Sequence, residues 1–168
     1  MIFPKNSYLL LVSFIWFPLY LSADKEIYVD LTLQKAYAVE NGILKFEGHI
    51  SSGDRGHQTP IGRFKILQKD KDHVSNLYPK PNGGTKMPYM MRLTWDGIAM
   101  HQGYVPDRPV SHGCIRLKRK FAKKLFYWAD KGTPVLIEGD TEGFYNYENS
   151  IVHYKKDKDG YHIIELYD

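Results

Sequence analysis

Between residues 24 and 138 the apolar side chains come in short runs broken by Gly, Pro, Asn or Asp, and one segment alone spaces them as a helix does. A chain patterned in this way can bury its apolar residues chiefly as strands. Extended structure is expected at 27–31, 36–39 and 44–47, with Asn41-Gly42 as a two-residue hairpin turn, because both residues tolerate positive φ. A strand at 49–51, a loop at 52–56, a turn punctuated by Pro60 and Gly62 and a strand at 63–67 follow. Further strands are expected at 89–93 and 98–101, meeting through Asp96-Gly97, and at 134–138.

The helical exception follows Cys114. Phe121, Leu125, Trp128 and Ala129 fall at i, i+4, i+7 and i+8, which makes one apolar face, and Gly132 is placed to end the helix. Between 68 and 88 Lys, Asp, Asn, Pro and Gly dominate, so this stretch reads as a long surface loop, either a lid or a solvated insertion. At the tail, 151–154 and 161–166 alternate around Asp159-Gly160, which predicts a hairpin. The expected fold is mainly β: a domain at 24–140 with one main helix after Cys114, then a C-terminal β-hairpin extension at 141–168.

Residues 1–23 carry Lys5, an apolar run over 8–21 and Ser22-Ala23 before the charged Asp24-Lys25-Glu26. This is the layout of a secretory signal peptide, and the run is short against the about 20 apolar residues that span a bilayer. Cleavage after Ala23 is expected, with an uncleaved anchor as the alternative; either way the domain is exported, to the periplasm or cell envelope. The net charge of +4 falls to +3 without Lys5. That surplus is mild and scattered, with no basic stripe interleaved with aromatics, so no nucleic-acid partner is expected. The chain has 168 residues, 43% of them apolar, and a single cysteine. Exported proteins usually pair their cysteines, so a lone Cys114 suggests a reactive thiol or an intermolecular bridge.

The run His101-Gln-Gly-Tyr-Val-Pro-Asp-Arg-Pro-Val-Ser111-His112-Gly113-Cys114-Ile-Arg116-Leu gathers a thiol, two imidazoles, a hydroxyl and a guanidinium. An unperturbed thiol, with a pKa of about 8.5, is only a few per cent thiolate at neutral pH and needs a base or a positive neighbour. His101, His112 and Arg116 could each serve. Gly113 would permit a sharp turn that aims neighbouring amides at an oxyanion. The start of the predicted helix, close after Cys114, would add partial positive charge.

Ser111-His112-Gly113-Cys114-Ile115-Arg116-Leu117 resembles the catalytic signature of the L,D-transpeptidase (YkuD domain) family. Thr59-Pro60-Ile61-Gly62-Arg63-Phe64 is similar to the family's Thr-Pro-x-Gly-x-Phe turn, and the segments at 87–89 and 98–101 resemble the strands leading to its first histidine. The resemblance implies a β-sandwich or barrel acting on peptidoglycan. Cys114 would attack the third residue of a tetrapeptide stem, a diamino acid such as meso-diaminopimelate, and D-alanine would leave. An amine on a neighbouring stem would then take the acyl group, giving a 3→3 cross-link that shapes the wall. By position His101 matches the general base, while Ser111, His112 and Gly113 match the residues shaping the nucleophile turn and oxyanion site. Arg116 would orient substrate or buttress the turn. Nine residues separate His101 from Ser111, fewer than in many members, and the tail from about residue 141 matches no part of the family pattern.

Other readings of the same residues are weaker. Zinc held by His101, His112 and Cys114 resembles no usual closed site. Ser111 lacks a Gly-x-Ser-x-Gly elbow, so turn support suits it better than attack. Tyr89 is a candidate substrate contact, although core packing is the default for it and for Trp95. His49, His57, His73, His153 and His162 read as surface or strand residues. No redox, nucleotide or metal cofactor is implied, and the oligomeric state is open. An L,D-carboxypeptidase would use the same residues with water as acceptor. Attachment of an outer-membrane lipoprotein would use a lysine acceptor, and a catalytically silent wall-binding module would need none of this chemistry.

Overall fold

The computed structural model describes residues 24–80, 83–149, 154–157 and 160–163. The signal peptide expected at 1–23 and parts of the expected tail hairpin lie outside the described residues. In chain order the elements are β1 (Lys25–Asp30), β2 (Lys35–Glu40), β3 (Ile43–Ser51), β4 (Gly62–Lys65), β5 (Gln68–Lys80), β6 (Gly83–Arg92), β7 (Ala99–Gln102), β8 (Ile115–Leu117), α1 (Arg119–Trp128), β9 (Pro134–Glu138), α2 (Thr141–Asn149), β10 (Tyr154–Asp157) and β11 (Gly160–Ile163). Nine strands form one sheet in the order β4-β9-β1-β2-β3-β8-β7-β6-β5, and β10 pairs with β11 separately.

The β2–β3 hairpin turns at Asn41 and Gly42 with φ of 53° and 73°, the left-handed pair that this dipeptide accepts at low cost. The two strands expected at 44–47 and 49–51 are one continuous β3, whose register against β2 shifts between Ala38 and Val39. The main core is lined from distant strands: Ile27 and Val29 of β1, Ile50 of β3, Met91 of β6, Ile115 of β8 and Ile137 of β9. Strands so far apart in the sheet order can share a core only if the sheet curls around it. Helix α1 fills the hollow, burying Phe121, Ala122, Leu125 and Phe126. Gly48 of β3 makes room for this, because a Cβ there would collide with the Phe121 ring. The last carbonyls of α1 lack helical partners, and lysines supply them: Lys25 Nζ donates to the Trp128 carbonyl at 2.8 Å and Lys69 Nζ to that of Ala129 at 2.5 Å.

Two expectations need correction. The stretch 68–88 is not a loop but the long antiparallel β5–β6 hairpin, with β5 at the edge of the sheet. Edge strands meet water on one side and are commonly charged, so the Lys and Asp residues that argued against a strand fit this place. The tail is not a hairpin alone, since α2 precedes it. Asp140 caps that helix, its carboxylate accepting from the Gly143 amide, and Glu142 sits in the first turn. Among the described residues no helix is long and apolar enough to cross a membrane.

Candidate active site

Parallel pairing of β7 with β8 sets Met100 beside Ile115 and His101 beside Arg116. Met100, Ile115 and Leu117 point into the main core. Side chains alternate along a strand, so His101, Cys114 and Arg116 share the opposite face. There Cys114 packs on a small apolar cluster of Met87, Met90 and Ala99, and its Sγ donates to the Gly97 carbonyl at 3.5 Å.

His101 is only 7% exposed, and its Nδ1 lies 2.8 Å from the Gln102 carbonyl. A carbonyl can only accept, so Nδ1 carries the proton and Nε2 keeps its lone pair. Burial holds the His101 pKa down to about 4, against the opposing pull of the Gln102 carbonyl, while the nearby Arg116 and His73 push in the same direction as burial. Burial also raises the Cys114 thiol above its ordinary value, and the Ala99 backbone and the charges of Arg116 and Arg92 offset part of this. At rest the two groups are therefore a thiol and a neutral imidazole. The expected help from a helix start is absent, because the strand β8 separates Cys114 from α1.

The turn before Cys114 is fixed from several sides. Gly113 sits at φ 108°, a conformation closed to side-chain-bearing residues. Ser111 Oγ accepts from the Gly113 amide at 3.2 Å and donates to the Cys114 carbonyl. Thr59 Oγ1 donates to the Gly113 carbonyl at 2.8 Å and accepts from the Gly53 amide at 2.8 Å. The backbones of Ser52 and Asp54 flank Ser111, which donates to the Ser52 carbonyl and accepts from the Asp54 amide, each at 3.0 Å. Buried Gln34 braces Ser52 in turn, accepting from its amide at 2.9 Å. Ser51 Oγ ties down the short loop ahead of the turn through the Arg108 carbonyl and the Val110 amide.

A cleft of about 330 Å³ opens beside the thiol, lined among others by His73, Met90, Arg92, Asp96, Gly97 and Ala99. Its walls are β5, β6 and the 95–97 turn, so the stretch once expected as a loop shapes the site. Trp95, expected in the core, is 75% exposed at the rim. Tyr89 does not join the site: its ring lies 5.7 Å from Phe126 and 6.3 Å from Tyr127 of α1, away from the Cys114 cluster. Arg116 runs its stem past Gly103 next to His101. His112 is exposed, and its ring stands 4.8 Å edge-on from that of His57, a neighbour that sequence reasoning set aside. Thr59 was legible only as part of a turn motif. Among the described residues no group of three or more His, Cys, Asp or Glu side chains gathers in a way that could hold a metal ion.

The family model for the L,D-transpeptidase catalytic domain (YkuD) matches residues 24–137. A probable L,D-transpeptidase 3 of Mycobacterium tuberculosis is 29% identical over 111 residues, which is 59% of this chain and 40% of that protein. An L,D-transpeptidase structure from Stackebrandtia nassauensis is similar with a TM-score of 0.64 and 31% identity, covering 71% of this chain and 58% of that one. A cysteine-to-serine mutant of an Enterococcus faecium L,D-transpeptidase gives a TM-score of 0.59 and 31% identity, covering 68% and 50%. The chain thus spans 40% to 58% of the length of these relatives. Matched over most of its described length by sequence and by fold, it belongs to the L,D-transpeptidase catalytic-domain (YkuD) family.

Proposed function

We propose that this protein is an exported cell-wall acyltransferase that forms a Cys114 thioester from a peptidoglycan tetrapeptide stem and passes the acyl group to an amine, making 3→3 cross-links. The observation that carries this is the placement, on one face of adjacent strands, of the Cys114 thiol and a buried neutral imidazole whose Nε2 keeps its lone pair, beside an open cleft. As Sγ attacks the carbonyl of the third stem residue, His101 Nε2 takes the thiol proton. A buried base with a pKa of about 4 accepts that proton only while the bond forms, which suits a concerted transfer rather than a standing ion pair. The Gly113 amide is engaged by Ser111, so the turn's donor for the oxyanion is the Cys114 amide. His101 then protonates the leaving D-alanine amine. In the second half the acceptor amine attacks the thioester, His101 takes its proton, and the thiol is restored.

Residues 1–23 serve as the export signal to the periplasm, where both stems are found. Arg116 and Arg92 bring positive charge to the cleft side of the thiol, matching the carboxylates of a stem peptide. The exposed rings of His112 and His57 stand together at the nucleophile turn, and the acceptor approaches from their side. The test is mass spectrometry of the purified protein and its Cys114→Ala variant with disaccharide tetrapeptides. Release of D-alanine with a 3→3 dimer, absent in the variant, is the expected result. Tripeptides without dimers would mean water is the acceptor, coupling to a supplied lysine peptide instead would mean lipoprotein attachment, and no Cys114-dependent change would overturn the reading.

A further inference from the structure

Helix α2 lies beyond the family match, which ends at residue 137, yet it grips the loop that carries Thr59. Four contacts converge on three consecutive residues, Gly53, Asp54 and Arg55. Thr141 Oγ1 donates to the Gly53 carbonyl at 3.1 Å. Tyr145 donates its phenolic proton to Asp54 at 2.8 Å, which with the Arg55 amide holds the Asp54 carboxyl below its usual range. Arg55 meets Glu142 through two parallel bonds of 2.8 Å, and its guanidinium lies 4.3 Å over the Tyr145 ring.

The next links are already fixed. Gly53 donates its amide to Thr59, and Thr59 donates its hydroxyl proton to the Gly113 carbonyl. That carbonyl and the Cys114 N–H belong to one planar peptide unit, with the two groups pointing opposite ways. Whatever holds the carbonyl therefore aims the amide. From this geometry we propose that Thr141, Glu142 and Tyr145 of α2 are positioning residues: acting through Gly53, Asp54, Arg55 and Thr59, they aim the Cys114 amide at the oxyanion. The inference rests on the acyl-transfer reading for its catalytic consequence, but the mechanical coupling does not depend on it.

The bidentate pair gives a test that separates coupling from simple destabilisation. In the full chain, Glu142→Arg and Arg55→Glu each place like charges together, and the double variant restores opposite charges in reversed order. Two readouts are taken at a temperature where all three proteins are folded by circular dichroism. The first is hydrogen–deuterium exchange of peptides covering 111–117, which needs no substrate. Each single variant is expected to speed exchange there severalfold, and the double variant to slow it again. The second is the rate of D-alanine release: kcat is expected to fall about tenfold in each single variant with KM within twofold, and to recover in the double. Tyr145→Phe, which removes only the bond to Asp54, should show the same pattern more weakly. Unchanged exchange over 111–117 in the single variants would overturn the coupling, and faster exchange with an unchanged kcat would overturn the positioning role. If the wild type itself releases no D-alanine, the acyl-transfer reading falls and takes the positioning role with it, while the exchange data still decide the coupling.

Discussion

His101 shows how one buried side chain ties the site to the stability of the whole. Its imidazole has a pKa of about 4 in the folded protein against about 6.5 in an unfolded chain, so as the pH falls the unfolded state takes up its proton first. Stability from this group is complete above about pH 6.5 and drains away between there and about pH 4, by up to about 3 kcal/mol. Thermal unfolding of the wild type and of His101→Gln, followed from pH 7 to pH 4, is expected to show the gap between the two curves changing by about that amount, with the wild type losing more. A parallel pair of curves would mean that the imidazole is freely solvated. The identity of this residue was legible in the sequence as part of a dense run, but its protonation state was not, since burial and the Gln102 carbonyl set it. The same holds for Cys114: the sequence showed that the thiol needs a base or a positive neighbour, and not that burial would raise its pKa. Tyr89 takes its default reading of core packing, because α1 receives its ring.

At the level of elements, what could be read was what local chemistry dictates. Asn41-Gly42 specified its hairpin, and the stripe of Phe121 and Leu125 specified α1 and its inward face. Leu125 is fully buried where α1 fills the curled sheet, so Leu125→Ala should cost about 2–5 kcal/mol by lost burial and residual cavity. Urea unfolding checks it; a loss under about 1 kcal/mol would show that the helix collapses into the space. The elements that escaped were those held by partners rather than by pattern. Strand β5 is an edge rich in charge, and nothing in 68–80 announces that 83–92 will pair with it. Helix α2 offers few apolar residues; Phe144 is buried, and the rest of its grip comes from Thr141, Glu142 and Tyr145 reaching a loop some ninety residues earlier. Its cap, Asp140 ahead of Thr141-Glu142, was the one signal present in the sequence.

Across the molecule, the curled sheet joins beginning to end. Strand β1 runs parallel to β9, with Ile27 beside Val135, Tyr28 beside Leu136, Val29 beside Ile137 and Asp30 beside Glu138. On its other side β1 runs antiparallel to β2, with Lys25 beside Glu40. This arrangement gives the protein a direction of mechanical strength. Force applied at Asp24 and Asp140 draws β1 and β9 past each other along their length, so every bond between them is loaded at once. Force applied at Asp24 and Asn41 instead opens β1 and β2 from neighbouring ends, one pair after another. Single-molecule pulling through these two attachment pairs should give a markedly higher rupture force for the first, and equal forces would mean that the β1–β9 seam is not what resists. A domain stretched between its two flanks thus behaves as a shear joint, whereas the same domain tugged at its first hairpin unzips.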